Sequence, residues 1–174
     1  MRGVGTGYVT SPMADVKHWF HVLRKQPDFK DRVFVDIGCG EGHVLGRWAK
    51  LLKTYNIKQE LAGIEFDRRL LADGSAYLRR DQGGINARLF WSDAAHFEYA
   101  SFGKPLIAWM FYPFNEDTLR DWSTACNGTD VWVVMNNPEH ALALLNKGWY
   151  MQQSLVREWP HNSWFWLWNG GHDE

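Results

Sequence analysis

The sequence predicts an α/β domain built on a doubly wound, mostly parallel seven-stranded sheet, with a C-terminal antiparallel hairpin and helices on both faces. Three observations carry that expectation. Short β-branched and aromatic runs alternate with stretches whose apolar residues recur at helical spacing, as in a parallel sheet with crossover helices. A glycine-rich turn, Gly38-Cys39-Gly40-Glu41-Gly42, directly follows the first of these runs. Near the C-terminal end the alternation stops, and two strand-like runs flank Pro160-His161-Asn162, which suits a terminal hairpin.

The chain of 174 residues suits one domain spanning 1–174, long enough to bury a single core. Residues 1–11 contain Gly3, Gly5 and Gly7 and read as a flexible N-terminal arm; no Gly-Lys-Ser/Thr follows to make a phosphate loop. Thr10 or Ser11 is placed to cap a first helix with Pro12 in its first turn, because Val16, Trp19, Phe20 and Leu23 then share one face. Val33 to Ile37 is the first strand, and the helix behind the glycine turn runs to about Thr54, with Val44, Leu45, Trp48, Leu51 and Leu52 inward. A strand over Glu60 to Glu65, a helix over Asp67 to Arg80, and strands over Ala87 to Trp91 and Pro105 to Phe111 come next. Asn115 to Ala125 reads as a helix, Asp130 to Met135 as a fifth strand, and Pro138 to Asn146 as a helix opened by proline. Trp149 to Trp159 and Ser163 to Trp168 complete the sheet. The run Trp164 to Trp168 is apolar on both faces, which fits a strand inserted between two others or one at a homodimer seam.

Composition narrows the function classes. Hydrophobic residues at 45% and charged residues at 22% are ordinary globular usage, which argues against a disordered or fibrous chain. The formal charge of −1 gives no global attraction to phosphate backbones, so there is no strong nucleic-acid signal. No run approaches the length of a membrane span and the N-terminus has no apolar leader segment, so a soluble cytoplasmic protein is expected. Cys39 and Cys126 lack Cys-x-x-Cys spacing, and His18, His21, His96 and His161 lack ligand spacing, so no metal is assigned. Eleven tryptophans exceed what a small core needs, which points to some of them at a binding groove or subunit contact.

The glycine turn is where a ligand approaches the backbone in such a sheet, because it lies at the carboxyl ends of the strands beside free helix amides. A dinucleotide fingerprint spaces its glycines G-x-G-x-x-G, but here the third glycine comes one residue early and His43 stands in its place. Asp36 and Glu41 set negative charge where a pyrophosphate would be repelled. A ligand carrying an ammonium and a sulfonium would be attracted.

VFVDIGCGEGH resembles, nearly residue for residue, the first motif of the class I, Rossmann-like S-adenosylmethionine-dependent methyltransferases, and the resemblance extends by element order from about Val33 to Trp168. It implies S-adenosyl-L-methionine as cofactor, held by Asp36, Gly38, Gly40 and Gly42. Glu65, ending the second strand, would accept both ribose hydroxyls, since the two oxygens of one carboxylate suit a vicinal diol. Asp93 would meet the adenine amino group with the Ala94 amide beside it, and Phe66 is placed to pack on the adenine ring. Taken singly, each acid also reads as a helix cap or a solvated loop carboxylate.

In this family acceptor residues come from the loop after the fourth strand, here Phe111 to Asn115, which assigns Tyr112 to the acceptor. The loop departs from the Asn/Asp-Pro-Pro-aromatic pattern of many amine and base methylases, so adenine or glutamine methylation is not implied. A closer likeness is to a group of small methyltransferases through Tyr8 to Pro12, Tyr112-Pro113-Phe114 and Asn137-Pro138-Glu139-His140. It adds Asn137 as a catalytic candidate. A similar entry segment in some protein-lysine methyltransferases points to a lysine or N-terminal amine, with a small molecule equally open as acceptor. His140 is a candidate base or a surface histidine. The competing readings are a non-catalytic S-adenosylmethionine-binding module and an NAD-binding oxidoreductase, the latter opposed by the glycine spacing.

Overall fold

The computed structural model describes residues 11–80, 84–111, 114–136, 140–155 and 163–169. Its elements are α1 (Met13–Leu23), β1 (Val33–Ile37), α2 (His43–Thr54), β2 (Leu61–Glu65), α3 (Arg68–Arg80), β3 (Ala87–Trp91), β4 (Leu106–Phe111), α4 (Glu116–Ala125), β5 (Asp130–Asn136), β6 (Tyr150–Leu155) and β7 (Ser163–Asn169). The fold is α/β, with a mostly parallel sheet and flanking helices. β3, β2, β1, β4 and β5 lie side by side and pair in parallel. β7 lies between β5 and β6 and pairs antiparallel with both. Residues 156–162, where the hairpin turn was expected, and residues 1–10 of the expected arm lie outside the described residues.

Side-chain alternation along the strands divides the core into two layers. Val33, Val35 and Ile37 point with Ala108, Met110 and Val133 to the layer closed by Leu119, Trp122 and Cys126 around α4. Phe34, Ile107, Trp109 and Val134 point to the opposite layer, closed by Trp19 and Phe20 of α1 and Trp48 of α2. Phe34 stacks on Trp48 with ring centroids 3.9 Å apart, which seats α2 against β1 just behind the glycine turn. Among the described residues no helix is long and apolar enough to cross a membrane.

Two local expectations are corrected. α1 has Pro12 at its N-cap and no side-chain cap. The Ser11 hydroxyl instead accepts from Trp109 Nε1 at 2.9 Å, because a buried indole N–H requires an acceptor. The stretch expected to be a helix over 138–146 is a 3₁₀ helix over Ala141–Lys147, ending at Gly148 with φ 83°. Ala141, Ala143 and Leu144 are inside, while Leu142 and Leu145, three residues apart, are exposed. That spacing matches three residues per turn.

Candidate functional site

The parallel order reverses direction at β1, whose neighbours are β2 on one side and β4 on the other. The crevice at such a switch point is where ligands bind in open α/β sheets, and the glycine turn sits at its mouth. Gly38, Gly40 and Gly42 have φ of 72°, 49° and 77°, a region that side chains with a Cβ rarely adopt. The N–H groups of Gly38 and Cys39 both donate to the Ile64 carbonyl, at 2.8 and 3.0 Å, so the turn is tied to β2 before the chain enters α2. A Cβ built at Gly38 would meet nothing within 4 Å. Space is open there.

Glu65 closes the other side. It ends β2 in a buried position, its Oε2 accepts from the Gly40 N–H at 2.9 Å, and its Oε1 accepts from the Asp67 N–H at 2.7 Å. A carboxylate has about four acceptor positions, so each oxygen keeps one for a ligand hydroxyl. Asp36 lies in β1 with its register partners Gly63 on β2 and Trp109 on β4. Burial, and secondarily the charge of Glu65, pushes its carboxyl up to about 8. Both causes disfavour a negative charge on Asp36 unless a cation stands beside it. An arriving ammonium would favour its ionised form. Burial, then the neighbouring Asp36 and Glu65, also pushes the Cys39 thiol up, so Cys39 is no thiolate nucleophile.

Two glycines outside the turn shape it, and sequence reasoning passed over both. A Cβ at Gly74 of α3 would lie 2.8 Å from the Gly40 carbonyl oxygen and 3.0 Å from the Glu41 carbonyl carbon. A Cβ at Gly63 of β2 would lie 2.7 Å from Cys39 Sγ and 2.9 Å from Leu45 Cδ1. The signal was available: a lone glycine inside a strand or helix pattern marks a close approach by another segment.

The remaining cofactor candidates lie along the β2 and β3 ends. Phe66 is 73% exposed, and its carbonyl accepts from Trp91 Nε1 at 2.9 Å. Trp91, also exposed, carries the Arg68 guanidinium 5.2 Å from its ring centre. Asp93 caps a short 3₁₀ turn: Oδ1 accepts from the Ala95 N–H at 2.9 Å and Oδ2 lies 3.2 Å from His96 Nδ1. Ala94 is buried and its carbonyl accepts from the Tyr99 hydroxyl at 2.9 Å.

Tyr112 and Asn137, the two catalytic candidates, lie outside the described residues. His140 is exposed. Between these positions the structure offers Asn136, which the sequence reading left unassigned. It ends β5 opposite Phe111 of β4, is 2% exposed, and neither its Oδ1 nor its Nδ2 has a hydrogen-bond partner among the described residues. By strand alternation it faces the same layer as Val134, the layer to which Asp36 and Trp109 also belong. A buried amide with all its bonding capacity unused is an unfavourable feature that a bound group would relieve.

The donor set fits S-adenosyl-L-methionine. Glu65 retains acceptor positions for a diol, Asp36 supplies a buried carboxyl for an ammonium, and the space beside Gly38 would be filled by any side chain.

No protein-family model matches the sequence, and no curated protein sequence matches it. Solved structures do match. The methyltransferase domain of a bacterial Hen1 protein superposes with a TM-score of 0.64 at 15% identity, covering 90% of this chain and 99% of that one. An S-adenosylmethionine-dependent methyltransferase from Clostridium acetobutylicum gives 0.58 at 10% identity, covering 91% of each chain. An rRNA methylase from Streptococcus thermophilus gives 0.57 at 13% identity, covering 92% of this chain and 98% of that one. At these identities the likeness is one of architecture: the chain has the α/β fold of S-adenosylmethionine-dependent methyltransferases.

Proposed function

We propose that this protein is a cytoplasmic class I S-adenosylmethionine-dependent methyltransferase whose seven-stranded sheet binds the cofactor across the turn at the end of β1. The observation that carries this reading is the Gly40 N–H to Glu65 Oε2 bond, which ties the glycine turn after β1 directly to the carboxylate that ends β2. When bound, the cofactor supplies an activated methyl group on a sulfonium. Glu65 orients the ribose through its remaining acceptor positions, with Phe66 against the adenine and Asp93 and the Ala94 amide at its edge. Asp36 accepts the ammonium. Methyl transfer needs alignment more than chemical assistance, so the protein's task is to hold the acceptor in line. Asn136 is suited to that task, with its amide able to donate to or accept from an acceptor group, and Tyr112 and Asn137, which follow β4 and β5 in sequence, are the further acceptor candidates. The acceptor is an amine of a protein or a small molecule.

Calorimetric titration with S-adenosylmethionine and S-adenosylhomocysteine tests the cofactor, with a Kd on the order of micromolar and a raised Tm expected. No heat and no thermal shift at millimolar ligand, with binding of NADH instead, would overturn the assignment. Transfer of a labelled methyl group to any member of an acceptor panel separates an enzyme from a non-catalytic binding module.

A further inference from the structure

We propose that a second site, on the outer side of α2, binds a phosphate monoester, independently of the cofactor reading. A cavity of about 420 Å³ is lined by Met13 of α1, His43, Arg47 and Lys50 of α2, and Tyr77 of α3. The residues that α2 buries are Val44, Leu45, Gly46, Trp48, Leu51 and Leu52, so His43, Arg47 and Lys50 occupy the opposite stripe of the helix. Their spacing of four and then three residues sets them one above the next over roughly 10 Å at 1.5 Å per residue. Three nitrogen-bearing side chains thus face one hollow.

Their bonding leaves them available. Arg47 Nε is buried and has no hydrogen-bond partner, and neither Arg47 nor Lys50 is in an ion pair among the described residues. His43 is held from one side, with Nε2 3.1 Å from Glu41 Oε2 and its ring edge-on to Tyr77 at 4.8 Å between centroids. Glu41 offsets charge at the His43 end, so the positive pole of the cavity lies at Arg47 and Lys50. Nε itself is closed off, but the outer guanidinium nitrogens of Arg47 are neither buried nor hydrogen-bonded among the described residues, and these are the donors an oxyanion entering the cavity would meet.

The geometry selects among anions. A carboxylate is used up by the arginine fork alone, whereas a phosphate has further oxygens for the ammonium one turn along and up to two charges for two cations. A formal net charge of −1 gives the chain no long-range attraction for a polyanion, which favours a single phosphate on a small molecule over a nucleic-acid backbone.

The test is calorimetric titration of the full chain with inorganic phosphate at constant ionic strength, repeated with Arg47→Gln, Arg47→Lys and Lys50→Gln. Saturable one-to-one binding is expected, weakened roughly tenfold or more by Arg47→Gln, which corresponds to about 1.4 kcal/mol. Arg47→Lys should fall between wild type and Arg47→Gln, because it keeps the charge and loses the fork. Chemical-shift changes confined to α2 and Tyr77 report the same site in the wild-type chain, should a variant fold poorly. The proposal is overturned by no saturable binding up to about 10 mM phosphate, a range that still detects millimolar affinity, or by equal binding of wild type and Arg47→Gln. It is equally overturned if a single-stranded RNA oligonucleotide binds far more tightly than phosphate, with a steep salt dependence that Arg47→Gln leaves unchanged.

Discussion

Gly40 donates its backbone N–H to Glu65 Oε2 at 2.9 Å across 25 residues of sequence, so the middle of the glycine turn and the end of β2 are one hydrogen-bonded unit. The side chain that the resemblance assigns to a ligand also holds the glycine turn. Removing it should disturb both.

Glu65→Ala should therefore weaken S-adenosylhomocysteine binding by roughly 1.5–3 kcal/mol and lower folding stability by about 1–3 kcal/mol, since the Gly40 and Asp67 amides lose their acceptor. Glu65→Gln keeps an acceptor oxygen and should retain more stability than the alanine variant. Denaturant unfolding and calorimetry read the two effects separately. Wild-type affinity in Glu65→Ala would remove Glu65 from the ligand site.

Asp36 should make the ligand-free protein less stable as pH rises. Its carboxyl, ordinarily near 3.8, is pushed up to about 8 in the folded chain, so between these values the folded state binds more protons than the unfolded one. This contribution to stability is fully present below about pH 4, declines toward pH 8, and is flat above. Asp36→Asn cannot ionise, so its Tm should fall less than wild type over that range and exceed it at pH 8. In a chain of this size each ~1 kcal/mol moves Tm by about 2–4 °C. The same variant should bind the ammonium-bearing ligand more weakly. Parallel Tm profiles for wild type and variant would count against a buried, protonated Asp36.

Gly74→Ala should destabilise, against the usual helix preference for alanine of about 1 kcal/mol. The added methyl would stand 2.8 Å from the Gly40 carbonyl oxygen, a backbone atom that cannot rotate away. The turn must shift, and cofactor affinity should drop with it. Thermal unfolding with and without S-adenosylhomocysteine checks both effects, and a raised Tm with unchanged affinity is the contrary result.

Asn136→Ala should cost little stability, within about 1 kcal/mol, because no hydrogen bond is lost with the amide. Turnover on an identified acceptor should fall while cofactor affinity holds, the mark of an interaction used in the transition state. Unchanged turnover would leave Asn136 without a role in positioning.

Local rules made much of this legible. Short β-branched and aromatic runs and period-3.6 apolar stripes located β1 through β5 and the helices between them, because a strand buried on both faces and a helix buried on one stripe each constrain neighbouring residue types. The turn from Gly38 to Gly42 was visible for a similar reason: only glycine takes positive φ freely, so the backbone requirement shows in the residue type. The 3₁₀ stretch Ala141–Lys147 was read as an α-helix because the two periods differ little over seven residues.

Contacts between segments distant in sequence belong to another class. That Gly63 and Gly74 leave room for Cys39 and the Gly40 carbonyl, that Ser11 serves Trp109 rather than its own helix, and that Asn136 is buried without a partner all depend on distances between elements. So does the upward push on the Asp36 carboxyl, which comes from its burial and from Glu65 nearby. Sequence alone determined which residues form the strands, most of the helices and the glycine turn, because those preferences act within a few residues of backbone. Only the tertiary structure decided which side chains are desolvated, paired or left unsatisfied at the site, because desolvation and hydrogen bonding depend on what the rest of the chain brings alongside.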